Sequence, residues 1–190
     1  PLDDSPQSLS PRVVDLQFEW FIPATNELVS ERVLLPGPVL IDARYRPPDL
    51  PGVAGVTFGD AVRLDGFELP AEVSPGETLP VALRWQVLEA LSDDIVAAVQ
   101  LVDADGTIIA QADGPPDGYP PRAWVADTAF IDTRAIAIPA DAPPGTYRLL
   151  IGWYRRADGS RLSAAGDASM AAGITHDLLE LPVGIEIAPE

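Results

Sequence analysis

The pattern that most constrains this chain is an alternation of large apolar with polar side chains, one residue in two, broken at short intervals by proline and glycine. That period fits a β-strand with one buried face, not an amphipathic helix, whose apolar positions recur every three to four residues. It runs through VTFGDAVRLDGFEL (56–69), TLPVALRWQVL (78–88), DIVAAVQLVDA (94–104), GTIIAQA (106–112), TAFIDTRAIAIP (128–139), TYRLLIGWYRR (146–156) and LLELPVGIEI (178–187). Between them lie SPGE, DADG, DGPPDGYPP, ADAPPG and ADGS, in which glycine supplies positive φ and proline presets the first turn position. Seven such strands in a chain with 21 prolines predict an all-β fold: a two-layer antiparallel β-sandwich of immunoglobulin-like type.

Upstream, Val14, Leu16, Phe18, Trp20 and Ile22 alternate across another strand, and the polar turn PATNE then leads to LVSERVLL, so the two segments pair as a hairpin. Residues 36–55 carry five prolines, which cannot donate to a β-ladder, and read as a connector with a short edge strand near Val39 to Tyr45. The expected division is a linker over 1–11, an N-terminal hairpin and proline-rich connector over 12–55, and the sandwich over 56–190. AAGDASMAAGITHD (164–177), rich in small residues, reads as a short helix or a mobile loop.

The 190 residues carry 29 acidic against 12 basic side chains, a formal charge of −17 that repels nucleic-acid phosphates and anionic lipid. No nucleic acid is expected as partner. All the basic residues are arginine. Solubility, a salt-adapted host and calcium binding would each produce such acidity, and composition does not separate them. The absence of cysteine excludes disulfides, thiolate nucleophiles, zinc–thiolate sites and iron–sulfur clusters. With one histidine, a histidine-based metal cluster is excluded too, and no glycine-rich phosphate loop or G-x-S-x-G turn occurs. No catalytic residue, metal or cofactor is assigned. The longest apolar run, Ile95 to Val99, is far short of the ~20 residues that span a bilayer. The start at Pro1 reads as that of a piece of a longer protein, so any membrane anchor would lie outside the chain.

The order FGDAVRLDGFEL, VSPGETLPVALRWQVLEAL, VQLVDADGTIIAQADGPP, YPPRAWVADTAFIDTRAIAIP and PPGTYRLLIGWYRRADGSRL, over about residues 56–162, resembles a bacterial β-sandwich module. That module commonly follows a multi-spanning membrane segment in glycosyltransferase-like proteins of the dolichyl-phosphate-mannose mannosyltransferase type. The resemblance implies an extracytoplasmic, non-enzymatic accessory domain of a cell-envelope protein, tethered to the membrane through its parent. A looser similarity is to the carbohydrate-binding sandwich at the C-terminus of polysaccharide-export ATPases. Neither brings an invariant site that maps onto these residues. The partner expected is a glycan or a neighbouring protein domain. As an alternative, the chain is a structural spacer or subunit that docks another chain through its N-terminal hairpin or a sheet edge.

Strand parity selects the candidate site. Tyr147, Leu149, Ile151 and Trp153 fall on one face, as do Leu79, Val81, Leu83, Trp85 and Val87, which assigns Trp85 and Trp153 to the core. The opposite faces hold Arg84, Arg148 and Tyr154, with Arg134 as a further member. On neighbouring strands these would form a ridge of planar groups able to stack on sugars or pair with acids; the plain alternative is a solvated sheet face. Tyr119 and Trp124 lie in DGYPPRAWVAD, stiffened by prolines, where aromatics lose little entropy on binding; the plain alternative folds Trp124 back over the core. Asp103, Asp105 and Gly106 resemble the start of a calcium loop, but residue 114 is glycine where a bidentate Glu is required, so DADG is read as a hairpin turn.

Overall fold

The computed structural model describes residues 47–89, 94–116, 121, 124–166 and 173–188, together with the backbone of six short strands between residues 12 and 41. The chain divides into two compact units, Pro1–Tyr45 and Arg46–Glu190. In the first, β1 (Arg12–Val14), β2 (Gln17–Phe18) and β3 (Phe21–Ile22) are followed by β4 (Glu27–Leu28), β5 (Val33–Leu34) and β6 (Val39–Ile41). They pair antiparallel as β3 with β4, β2 with β5 and β1 with β6, three nested ladders. The linker expected over 1–11 lies outside the described residues.

The second unit is a two-layer β-sandwich, as the alternation predicts. Its strands are β7 (Gly52–Phe58), β8 (Val62–Glu68), β9 (Glu72–Val73), β10 (Thr78–Val87), β11 (Ile95–Val102), β12 (Ile108–Gln111), β13 (Ala129–Ala137), β14 (Gly145–Arg155), β15 (Ala164–Gly166), β16 (Gly173–Thr175) and β17 (Leu178–Ile187). One sheet runs β13-β10-β8-β7-β15; the other runs β12-β11-β14-β17-β16, with β9 added in parallel to β17. No helix of the described residues is long and apolar enough to cross a membrane.

Between the sheets the inward residues form one core. Val56, Phe58, Leu64, Leu79, Leu83 and Trp85 come from the first sheet; Ile95, Val99, Leu149, Ile151, Trp153 and Leu179 come from the second. Trp85 and Trp153 meet edge to face at 5.3 Å and 76°, and Phe58 packs edge-on against Trp85 at 5.9 Å. Both tryptophans are fully buried, where parity puts them.

Three local expectations change. The run 56–69 is not one strand but the hairpin β7–β8, which turns at Gly59 with φ 55°, a conformation a residue with a Cβ adopts only at a cost. The hairpin begins at Gly52, four residues before the alternation at Val56. The segment 164–177 is neither helix nor loop at its two ends, which form β15 on β7 and β16 on β17; residues 167–172 lie outside the described residues.

Arg134 does not face outward. Val81 pairs with Arg134 and Leu83 with Asp132, so both charged residues share the face of the core aliphatics. Asp132 is 0% exposed and accepts from Arg134 Nε and Nη2 at 2.9 and 2.8 Å, while the same guanidinium donates to the carbonyls of Ala112 and Gly114. Gly114 bridges to Ala97 of β11, so this arginine ties the edge strand of one sheet to the edge of the other.

Candidate functional site

Arg84 and Arg148 both point away from the core, but they stand on opposite outer faces of the sandwich, one on β10 and one on β14. The single ridge expected from parity therefore does not form. Arg84 is 9% exposed and held under the segment 47–50: Nη1 donates to Asp65 Oδ2 at 2.6 Å and Nε to the Pro47 carbonyl at 3.4 Å, with Asp49 at 3.5 Å. Asp65 is the extra residue where the β8–β10 register slips between Arg84 and Trp85, and the bulge presents its carboxylate to both Arg84 and Arg63. The hydrogen bond that Arg63 Nε donates to Asp65 is the main cause holding the Arg63 pKa above its ordinary value.

Trp124 is not an exposed stacking platform. Its ring lies 5.3 Å from Trp153 at 82° and 5.7 Å from Phe130, and its backbone N–H donates to the Pro121 carbonyl. At 4% exposure it closes one end of the core, because a large indole next to an open sandwich mouth gains more by burial than by display. Tyr119 lies outside the described residues.

Two of the expected residues, Arg148 and Tyr154, share one surface, the outer face of β14. Arg148 and Tyr154 share that face with Leu150 and Gly152, and their cross-strand partners on β11 are Val102, Gln100, Ala98 and Val96. Six residues apart on one strand, the two side chains are separated by about 20 Å. Arg148 Nη1 donates to Glu180 Oε2 at 3.0 Å and Nη2 to the Asp103 carbonyl at 3.0 Å, which fixes the guanidinium. Arg148, Leu150, Leu178, Glu180, Thr175 and His176 line a hollow of about 180 Å³.

The wall of this hollow is the β16–β17 turn. Thr175 pairs with Leu178, and the two residues between them, His176 and Asp177, have φ of 51° and 62°. Both sit in the left-handed region that a tight two-residue hairpin demands. The conformation is braced from outside: Asp177 Oδ1 accepts from the Ala164 N–H at 3.2 Å, and the His176 carbonyl accepts from Arg161 at 3.3 Å. His176 and Asp177 end the small-residue run 164–177, and nothing in it announces this turn, since histidine and aspartate carry no hairpin signal of the Asn-Gly kind.

The turn also rests on Gly152. A Cβ there would stand 2.6 Å from Leu178 Cδ2 and 3.1 Å from the Asp177 carbonyl oxygen. Gly152→Val is therefore expected to push the β16–β17 turn off β14 and cost about 1–3 kcal/mol as an overpacking change. Hydrogen exchange of the amides in 173–180 checks this: they should lose protection while those of β10 keep theirs.

The DADG turn is used structurally. Asp103 Oδ1 accepts from the N–H groups of Asp105 and Thr107 at 3.0 and 2.8 Å, and Gly106 takes φ 83°. Among the described residues, no group of three or more His, Asp or Glu is arranged to hold a metal ion.

No family model matches the sequence, and no curated protein does. Among solved structures, the chain is similar to the C-terminal domain of wzt, at 11% identity over 71% of this chain and 78% of that one, with a TM-score of 0.45. It is similar to a Niemann-Pick type C2 protein from Japanese carpenter ant, at 8% identity over 70% and 99%, with a TM-score of 0.42. A third is the CARDB domain of a Pyrococcus furiosus protein in complex with di-metal ions, at 10% identity over 72% and 92%, with a TM-score of 0.36. Overlaps this loose speak to neither ligand nor partner.

Proposed function

We propose that this protein is a non-enzymatic recognition module of an extracytoplasmic cell-envelope protein, and that it binds glycan along the outer face of the six-stranded sheet. The observation that carries the reading is the placement of Arg148 and Glu180 around a hollow lined by Leu150 and Leu178, with Tyr154 on the same face about 20 Å along β14. Sugars are held by such a mixture: a ring to stack on, charged groups fixed in advance to take the hydroxyls, and apolar surface for the C–H faces. Single-site affinity of this kind is weak, and tethering to a parent protein reinforces it.

The test is calorimetric titration with a panel of envelope polysaccharides. Tyr154→Ala and Arg148→Gln are each expected to weaken the best ligand about tenfold, the scale of losing one well-placed contact of about 1.4 kcal/mol. Binding by neither wild type nor variant, or equal binding by all three, overturns the reading.

A docking role has its own supporting observation, on the opposite sheet. Pro80, Ala82 and Thr133 of β10 and β13, with Leu69 and Pro70, line a mostly apolar hollow of about 410 Å³ that suits a neighbouring domain better than a sugar.

A further inference from the structure

At one end of the sandwich the two sheets part around a third hollow, of about 280 Å³, that none of the readings above uses. Its floor is apolar and buried: Ala61, Ile95 and Leu162. Its rim is polar: Asp60 of the β7–β8 turn, Glu89 after β10, Ser163 before β15, and Arg155 and Arg161 on either side of the turn that follows β14. Arg155 pairs with Ile95 and continues the inward parity of Ile151 and Trp153, which brings it to the mouth. Main-chain bonds fix every rim segment. Gly59 N–H donates to Ser163 O, the Leu88 and Glu89 N–H groups to Ala61 O, and Arg155 N–H to Ser160 O. In the turn, hydrogen bonds from the Ser160 side chain and N–H hold the Asp158 carboxyl below the usual carboxylate range. With its pKa depressed, Asp158 stabilises the turn above the ordinary carboxylate range, and that support is lost only as the pH falls through the lowered value. The hollow is thus formed before anything enters it.

Arg161 sets this hollow apart. Arg63, Arg84, Arg134, Arg148 and Arg156 are each paired with a carboxylate. Arg161 has no carboxylate partner among the described residues; its Nη1 meets the carbonyl of His176 at 3.3 Å. In a chain of formal charge −17, a guanidinium left without an acid is a ready counter-ion for an incoming one. The opposite rim is chemically different: Asp60 and Glu89 accept hydrogen bonds and repel bare anions.

From this division we infer that the mouth hollow is a binding site for a small carboxylate whose body carries hydrogen-bond donors. The ligand carboxylate pairs with Arg161, its donors reach Asp60 and Glu89, and its C–H surface lies on Leu162 and Ile95. An acidic sugar and an amino-acid zwitterion share this chemistry. The site is separate from the Arg148 hollow, across the His176–Asp177 turn, and stands or falls independently of glycan binding there.

Titration of the intact protein with D-glucuronate, L-alanine, D-glucose and acetate, followed by ligand-observed NMR, tests it. Saturable binding of glucuronate or alanine is expected, at least tenfold tighter than glucose or acetate, and whichever of the two binds better identifies the source. Arg161→Gln should weaken that ligand at least tenfold and Glu89→Gln several-fold, with Arg63→Gln, on the outer face of β8 and away from both hollows, leaving it unchanged and all variants melting within a few degrees of wild type. The inference is overturned if neither ligand binds wild type, if acetate binds as well, or if Arg161→Gln binds within twofold.

Discussion

Replacing Arg134 by methionine is expected to destabilise the sandwich by about 3–5 kcal/mol, among the largest effects of any single change, because it strands a carboxylate in the core. Asp132 is 0% exposed, and its Oδ2 takes both hydrogen bonds from Arg134 while Oδ1 has no partner among the described residues. With the guanidinium gone, the carboxylate has neither water nor counter-ion. In a domain of this size a loss on that scale lowers the melting temperature by about 10 °C or more. The double variant Asp132→Leu/Arg134→Met separates charge from packing. It removes the stranded ion but leaves the carbonyls of Ala112 and Gly114 without their donor, so stability should return only in part, short of wild type by about 1–3 kcal/mol. If Arg134→Met costs under 1 kcal/mol in chemical denaturation, the pair does not hold the two sheet edges together.

In TAFIDTRAIAIP the parity of Phe130, Ile136 and Ile138 runs straight through Asp132 and Arg134, so the signal for an inward pair was present. Charge overrode it, since charged residues are almost never fully buried unless paired, and a pair within one strand is not visible as such until burial is known. Arg84 and Arg148 failed differently. Parity correctly turned both away from the core, but it is defined only relative to the sheet each strand joins. Strand order alone puts β10 in one sheet and β14 in the other, and with that the shared ridge disappears.

The long strands were legible because each carries its own signal over seven or more residues: alternation in β10 and β14, and in β11 a nearly continuous apolar run, buried on both faces. Strands of two or three residues were not: β9, β15 and β16 exist because a partner lies beside them, and no local alternation can announce that. Trp124 belongs to the same class of problem. It sits outside any periodic segment, so only the finished core, with Trp153 and Phe130 in place, decides that it turns inward. Of the candidate site, the residues on β14 were readable and the turn that walls their hollow was not.

The three-tryptophan contact gives the other large effect. Trp153 touches Trp85 and Trp124 edge to face, each at 5.3 Å, and lies between the two sheets with no solvent exposure. Trp153→Ala is expected to cost about 3–5 kcal/mol, through lost burial plus a cavity that two flanking sheets cannot close. Trp153→Phe should cost far less, under about 1.5 kcal/mol, for a reason beyond its smaller volume change. The indole N–H of Trp153 is buried without a hydrogen-bond partner among the described residues, as is that of Trp85, so phenylalanine removes an unpaired donor along with the second ring. Relief of that desolvated donor offsets part of the lost packing. Urea denaturation of the two variants decides the matter. A Phe variant as unstable as the Ala variant would mean that Trp153 Nε1 has a partner in solution, an internal water being the simplest, and that the centre of this core is wetter than its side chains imply.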